Sequence, residues 1–155
     1  RVHPLPWTLD REREYHERFT GAMERWLDFG HGACVLRDPR CAVIVTSALK
    51  HFDGMRYDLL SSVIMPNHVH LLFRSYAGQR LEAVLHSWKR FTARRINALL
   101  GKSRCLWQRD YFDRLVRNRA HLERCVRYIR RNPDKAGLKA SEYLWYESEL
   151  ARRME

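Results

Sequence analysis

The hydrophobic residues near the N-terminus recur at helical spacing. Between residues 11 and 29, one face of a helix would carry the apolar side chains Tyr15, Phe19, Ala22, Met23 and Trp26. Gly30 is a typical stop for such a helix. A second helix is predicted from Pro39 to about Phe52, because Asp38 is a good N-cap and proline suits the first turn. The pattern therefore predicts that this part of the chain is mainly helical.

The periodicity changes in the middle of the chain. Residues 56–65 (RYDLLSSVIM) and 68–74 (HVHLLFR) are rich in apolar and β-branched residues, and Met65-Pro66-Asn67 forms a tight-turn sequence between them. These two segments are predicted to form an antiparallel hairpin. A helix with an apolar inner face is predicted at about 81–100, before Gly101.

The C-terminal part repeats the change from strand to helix. Residues 110–116 (DYFDRLV) predict another strand, and Asn118 is a suitable N-cap for a helix at about 119–131. Asn132-Pro133 is predicted to end this helix, because the residue before a proline avoids helical angles. Together the elements predict an α+β fold, in which helices pack on an antiparallel sheet.

Length and composition indicate one compact, folded domain. The chain has 155 residues, of which 45% are hydrophobic and 12% aromatic, so it is not a disordered sequence. No apolar run approaches the roughly 18 residues that a membrane helix needs, and no signal-peptide pattern opens the chain. We therefore expect a soluble, intracellular protein with no membrane partner. Since Arg1 takes the place of an initiator methionine, we also expect that upstream sequence is missing.

Positive charge is concentrated in the C-terminal part of the chain. The net charge is +11, and residues 86–155 hold 18 basic and 8 acidic side chains, whereas residues 1–85 hold 11 and 10. Such a surface attracts DNA, RNA or anionic lipid. Nucleic acid is favoured because aromatic residues, which can stack on unpaired bases, are interleaved with the basic ones. The candidates for DNA contacts, each of which could also belong to a solvated helix face, are Lys89, Arg90, Arg94, Arg124, Arg127, Arg130 and Arg131.

Two histidines stand two residues apart on a predicted strand. Because strand side chains alternate, His68 and His70 leave the same face, while Val69 and Leu71 face the other way. Two neutral imidazoles on one face can bind a single metal ion. The pair is weak evidence by itself, because this spacing often arises by chance and ordinary solvated or hydrogen-bonded histidines are the more common explanation.

The predicted helix at 119–131 carries a phenol beside its buried stripe. Tyr128 lies about 100° around the helix from Ile129, and Asn132 lies one turn later on the same side as Tyr128. Arg124 occupies the same side one turn earlier. A boundary tyrosine with a solvated hydroxyl, followed by an asparagine that ends the helix, would give the same pattern.

Three motifs resemble those of a known family. MetProAsnHisValHisLeuLeu (65–72), TrpGlnArgAspTyrPheAsp (107–113) and TyrIleArgArgAsnProAspLysAlaGlyLeu (128–138) are similar to the REP-associated tyrosine transposases. These are single-tyrosine members of the HUH endonuclease superfamily, named for His-hydrophobic-His. The resemblance extends from about Gly32 to Leu138. Residues 1–31 are therefore predicted to be an N-terminal helical extension or insertion, and residues 32–155 the transposase-like domain.

The resemblance implies a fold, a site and a substrate. It implies a ferredoxin-like HUH palm, with His68, His70 and Asn132 as ligands of Mg²⁺ or Mn²⁺. Tyr128 would be the nucleophile that forms a 5′-phosphotyrosine with single-stranded or hairpin DNA, in a cytoplasmic, nucleoid-associated protein of bacterial type. One feature departs from the family: its usual opening strand does not appear before residue 11.

Other functions are compatible with parts of this pattern. A nucleic-acid-binding protein derived from a transposase but without catalysis would explain the charge and the motifs. A histidine-triad hydrolase needs a third alternating histidine, where this chain has Leu72. A purely structural basic domain would leave the motifs to coincidence. The sequence leaves open whether the protein is a monomer or a homodimer.

Overall fold

The computed structural model describes residues 22–28, 34–108 and 112–154, which form helices and strands. The strands are β1 (Ala22–Asp28), β2 (Tyr57–Ile64), β3 (His68–Ser75), β4 (Phe112–Leu115) and β5 (Leu144–Glu147). The α-helices are α1 (Pro39–His51), α2 (Leu81–Leu100), α3 (Arg119–Lys135) and α4 (Glu149–Arg152), and short 3-10 helices span Val35–Arg37 and Ala140–Glu142. The predicted α+β class is confirmed.

Within the described ranges, five strands form one antiparallel sheet in the order β4-β1-β3-β2-β5. The predicted hairpin is β2 and β3, closed by a hydrogen bond of 2.9 Å that the Met65 N–H donates to the His68 carbonyl. β3 lies in the middle of the sheet and pairs along both of its edges. The strand that carries the histidine pair is therefore the central one.

The helix predicted over residues 11–29 is wrong where the structure describes that segment. Residues 22–28 form β1, which pairs with β3 on one edge and with β4 on the other; residues 11–21 and 29 lie outside the described residues. The physical reason is that β3 has a backbone edge away from β2 whose N–H and C=O groups need partners. A strand that the sequence pattern did not indicate is thus present at residues 22–28. The boundary between an N-terminal extension (residues 1–31) and a transposase-like domain (residues 32–155) stays a prediction. β1 lies on the N-terminal side of that boundary.

Helices α1 and α2 lie within the predicted ranges. Asp38 caps α1 as expected, since its side chain accepts a hydrogen bond of 3.0 Å from the Arg40 backbone N–H. Gly101 ends α2 with a φ of 61°, in the left-handed region. Among the helices of the described ranges, none has the length and apolar character that crossing a bilayer requires.

Different helices cover the two faces of the sheet. Val69, Leu71 and Phe73 face one side, where they pack with α1 and α2. Leu72 faces the other side and packs with Val63 and with the buried stripe of α3. Because side chains alternate along a strand, His68 and His70 share the face of Leu72. Both imidazoles therefore belong to the layer of α3.

The end of α3 differs from the prediction at Asn132-Pro133. The helix continues to Lys135, and Pro133 is buried inside its last turn. The turn is closed by hydrogen bonds of 3.0 Å from the Leu138 N–H to the Pro133 carbonyl and from the Gly137 N–H to the Asp134 carbonyl. Gly137 has a φ of 66°, which completes a Schellman-type C-cap. These bonds and the burial of the proline ring offset the hydrogen bond that Pro133 cannot donate.

Candidate catalytic site between the central strand and helix α3

The two histidines of β3 lie next to each other on the face of α3. Their ring centroids are 4.9 Å apart and the rings are perpendicular. His70 is 2% exposed, whereas His68 is half-buried. The alternation predicted from the sequence therefore brings the two rings together at the border between core and solvent.

Burial fixes the protonation state of His70. Desolvation, and secondarily the charge of His68, lower the pKa of His70 to about 3. Its imidazole is therefore neutral at neutral pH, which is the form that binds metal ions. His68 Nδ1 lies 2.7 Å from Asn67 Oδ1. Because an amide oxygen only accepts, this contact favours the tautomer with the hydrogen on Nδ1, which leaves Nε2 of the neutral ring as the metal-binding nitrogen.

Tyr128, on α3, lies against His70, on β3. Leu122, Cys125, Val126 and Ile129 form the buried stripe of α3, and Tyr128 lies at its edge. The ring centroids of Tyr128 and His70 are 5.5 Å apart, with an interplanar angle of 87°. Tyr128 is 38% exposed. The phenol thus contacts a buried neutral imidazole and is also accessible from solvent.

Asn132 lies one turn beyond Tyr128 and is half-buried. Its side-chain amide nitrogen donates to the Tyr128 carbonyl at 3.2 Å, so its amide oxygen is the atom that can serve as a ligand. Within the described ranges, no three His, Cys, Asp or Glu side chains form a group that could hold a metal ion. A metal ion bound by the histidine pair would therefore need a ligand of another type, such as Asn132. Two imidazoles and one amide oxygen, with positions left open, suit Mn²⁺ or Mg²⁺.

Lys135 contacts the tyrosine ring and was not among the predicted residues. Its Nζ lies 5.0 Å from the centroid of the Tyr128 ring. The sequence contains a signal for this contact, because residues seven apart lie on the same side of a helix. The predicted end of the helix at residue 131 concealed that signal, since it placed Lys135 outside the helix.

The structure separates the predicted basic residues into groups. Arg124 and Arg131 are exposed on α3, and Arg127 is half-buried on the same helix. Arg130 forms a two-armed ion pair with the buried Glu147, with distances of 3.1 and 3.0 Å. This pairing makes Arg130 an anchor for β5, and its contact with DNA stays a prediction.

The basic residues of α2 lie in the other layer. Arg90 and Arg94 are exposed on this helix, whose buried side packs against the sheet face opposite the histidines. The Lys89 ammonium donates to the Gln108 carbonyl at 2.9 Å, which ties α2 to the following loop. Trp107 is 7% exposed and donates to Thr92 Oγ1 at 2.8 Å, so it belongs to the core on this side of the sheet.

The fold is shared with solved structures of transposases. A REP-associated tyrosine transposase bound to a REP hairpin has a TM-score of 0.63 and 18% identity, over 77% of this chain and 70% of that one. A transposase candidate from Deinococcus radiodurans R1 has a TM-score of 0.51 and 19% identity, over 70% of this chain and 88% of that one. At these identities the likeness concerns the fold. No curated protein matches the sequence.

The family model for IS200-like transposases matches residues 38–132. This range includes the histidine pair, Tyr128 and Asn132, and it covers more than half of the chain. The protein therefore belongs to the IS200-like transposase family, which confirms the resemblance found in the sequence motifs.

Proposed function

We propose that this transposase-family protein is a metal-dependent enzyme that nicks and rejoins single-stranded DNA through a covalent 5′-phosphotyrosine at Tyr128. The observation that carries the proposal is the contact of the Tyr128 ring with His70, at 5.5 Å between centroids. Both residues come from one chain, so a single subunit contains the proposed nucleophile and the proposed metal ligands.

The proposed reaction is an in-line exchange of phosphate esters. Tyr128 Oη attacks the phosphorus of the scissile phosphodiester and loses its proton, while the bond from phosphorus to the 3′-oxygen breaks and that oxygen takes up a proton. The phosphotyrosine ester conserves the linkage, so a 3′-hydroxyl can attack it and restore a DNA strand. His68, His70 and Asn132 would hold Mg²⁺ or Mn²⁺, which supplies charge to polarise a non-bridging phosphate oxygen when bound.

We propose hairpin-bearing single-stranded DNA as the substrate. Two observations support this choice: the structurally similar transposase was solved with a REP hairpin, and ten of the eleven net positive charges lie in residues 86–155. Arg124 and Arg131 are exposed on α3, the helix that carries Tyr128. They are the proposed contacts to the DNA backbone beside the site, and Arg127 is a third candidate.

A covalent-adduct assay tests the proposal. The protein is incubated with a labelled single strand that contains a hairpin, in the presence of Mn²⁺, and is then run on a denaturing gel. We expect a covalent band that Tyr128→Phe and EDTA both abolish. Tyr143→Phe is the matched control, because Tyr143 is a half-buried tyrosine that packs against the α3 core and should leave the band unchanged.

Two results would contradict the proposal. A band that persists in Tyr128→Phe would reject this residue as the nucleophile. Hairpin binding by wild type without any covalent band, across Mg²⁺ and Mn²⁺, would favour a non-catalytic nucleic-acid-binding protein derived from a transposase.

A further inference from the structure

Three polar side chains form one stripe along α3. Tyr128, Asn132 and Lys135 are spaced at i, i+4 and i+7, and residues at these spacings lie on the same side of a helix. Seven residues of helix span about 10 Å, and helical side chains tilt toward the N-terminus. The long Lys135 side chain therefore reaches back past Asn132, and its ammonium lies 5.0 Å from the Tyr128 ring centroid.

Two ordinary reasons for a lysine at this position do not depend on DNA. A cation in the last turn interacts favourably with the helix dipole, and an ammonium over an aromatic ring gains a cation–π attraction. Both are weak for an exposed side chain, and Lys135 is exposed. Neither depends on the fact that this ring is the one that contacts His70.

We propose that Lys135 positions the scissile phosphate by binding one of its non-bridging oxygens beside Tyr128 Oη. This inference rests on the proposed function, because it assigns a phosphate-binding group to the same site. His70, one of the proposed metal ligands, contacts the Tyr128 ring from β3, whereas Lys135 reaches the ring from the C-terminal end of α3. A phosphate held between them would have its phosphorus close to the phenol oxygen, and its negative charge would meet the ammonium.

Single-turnover measurements at saturating DNA test this role. Lys135→Ala and Lys135→Gln should slow adduct formation by about 10- to 100-fold, less than the roughly 100- to 1000-fold seen when one preorganised charge-stabilising donor is removed, because Lys135 is exposed. Lys135→Arg, which keeps the cation, should recover most of the rate. The control is Lys139→Ala, which removes an exposed lysine four residues later and should keep the wild-type rate.

The possible failures are distinguishable. If wild type forms the adduct and Lys135→Ala forms it within about twofold of the same rate, the positioning role is wrong and the proposed function stands. An effect on the Kd for DNA alone, matched by Lys139→Ala, would show a general charge effect and also overturn the inference. If wild type forms no adduct, the proposed function and this inference both fail. Melting curves of each variant verify that the compared proteins are folded.

Discussion

Acid should destabilise the metal-free protein through one buried histidine. His70 is 2% exposed, and its pKa is lowered to about 3, mainly by desolvation. In the unfolded chain a histidine has a pKa of about 6.5. The unfolded state therefore binds a proton more readily than the folded state at every pH between these two values. Protons therefore favour the unfolded state between pH 6.5 and pH 3. The contribution of neutral His70 to the free energy of unfolding is fully present above pH 6.5 and is lost as the pH falls toward 3.

The size of the loss follows from the difference between the two pKa values. Each pH unit below 6.5 costs about 1.4 kcal/mol, so the loss from His70 at pH 5 should be about 2 kcal/mol. Below pH 3 the full effect would be about 5 kcal/mol, which is comparable to the whole stability of a marginal domain. Bound metal would oppose this loss, because a ligated imidazole cannot be protonated.

Urea unfolding in EDTA at pH 7 and pH 5, at constant ionic strength, measures the effect. Other groups also titrate, so the useful quantity is the difference between wild type and His70→Leu, which lacks the titrating ring. The variant should lose about 2 kcal/mol less than wild type between the two pH values. His86→Gln is the control, because His86 is exposed and its removal should leave the pH dependence as in wild type. An equal loss in wild type and His70→Leu would refute the reasoning.

Two further predictions concern how α3 is held and ended. Arg130→Ala leaves the Glu147 carboxylate buried without its two-armed partner. The free energy of unfolding, measured in urea, should fall by about 2–3 kcal/mol, which is less than for a fully buried pair because the arginine is partly exposed. An unchanged unfolding midpoint would contradict the anchoring role. Gly137→Ala places a Cβ at a φ of 66° and should cost about 1 kcal/mol by the same assay. A Gly137→Asn variant should lose less, because asparagine tolerates this region better, and equal losses would show that backbone conformation is not the cause.

The sequence predicted the elements whose signals are local. The hairpin of β2 and β3 has its own turn, and α1 has its own cap in Asp38. β1 could not be predicted in the same way, because residues 22–28 become a strand through pairing with β3 and β4. Spacing within residues 11–29 contains no information on that pairing, and the context of the sheet overrode the helical pattern.

The candidate site was predictable to the extent that it depends on periodicity. Alternation along β3 placed His68 and His70 on one face, and the helical repeat placed Asn132 beyond Tyr128. The contact between Tyr128 and His70 required the layers to be known, and the family resemblance supplied that expectation. The sequence pattern does not indicate Lys135, because Asn132-Pro133 predicts the end of the helix, whereas burial of the proline and the cap at Gly137 extend α3 by a turn.

The rotation of α3 about its axis is set by residues that flank the proposed nucleophile. Tyr128, Ile129 and Arg130 follow one another at about 100° steps around the helix. Ile129 is fully buried against the sheet, Arg130 is held on one side by Glu147, and Tyr128 meets His70 on the other. A rotation that moved Tyr128 away from His70 would also expose Ile129 and stretch the ion pair. The ion pair between Arg130 and Glu147 therefore keeps the Tyr128 ring against His70. An Arg130 variant that still folds should form the adduct more slowly, because the orientation of Tyr128 is then less fixed.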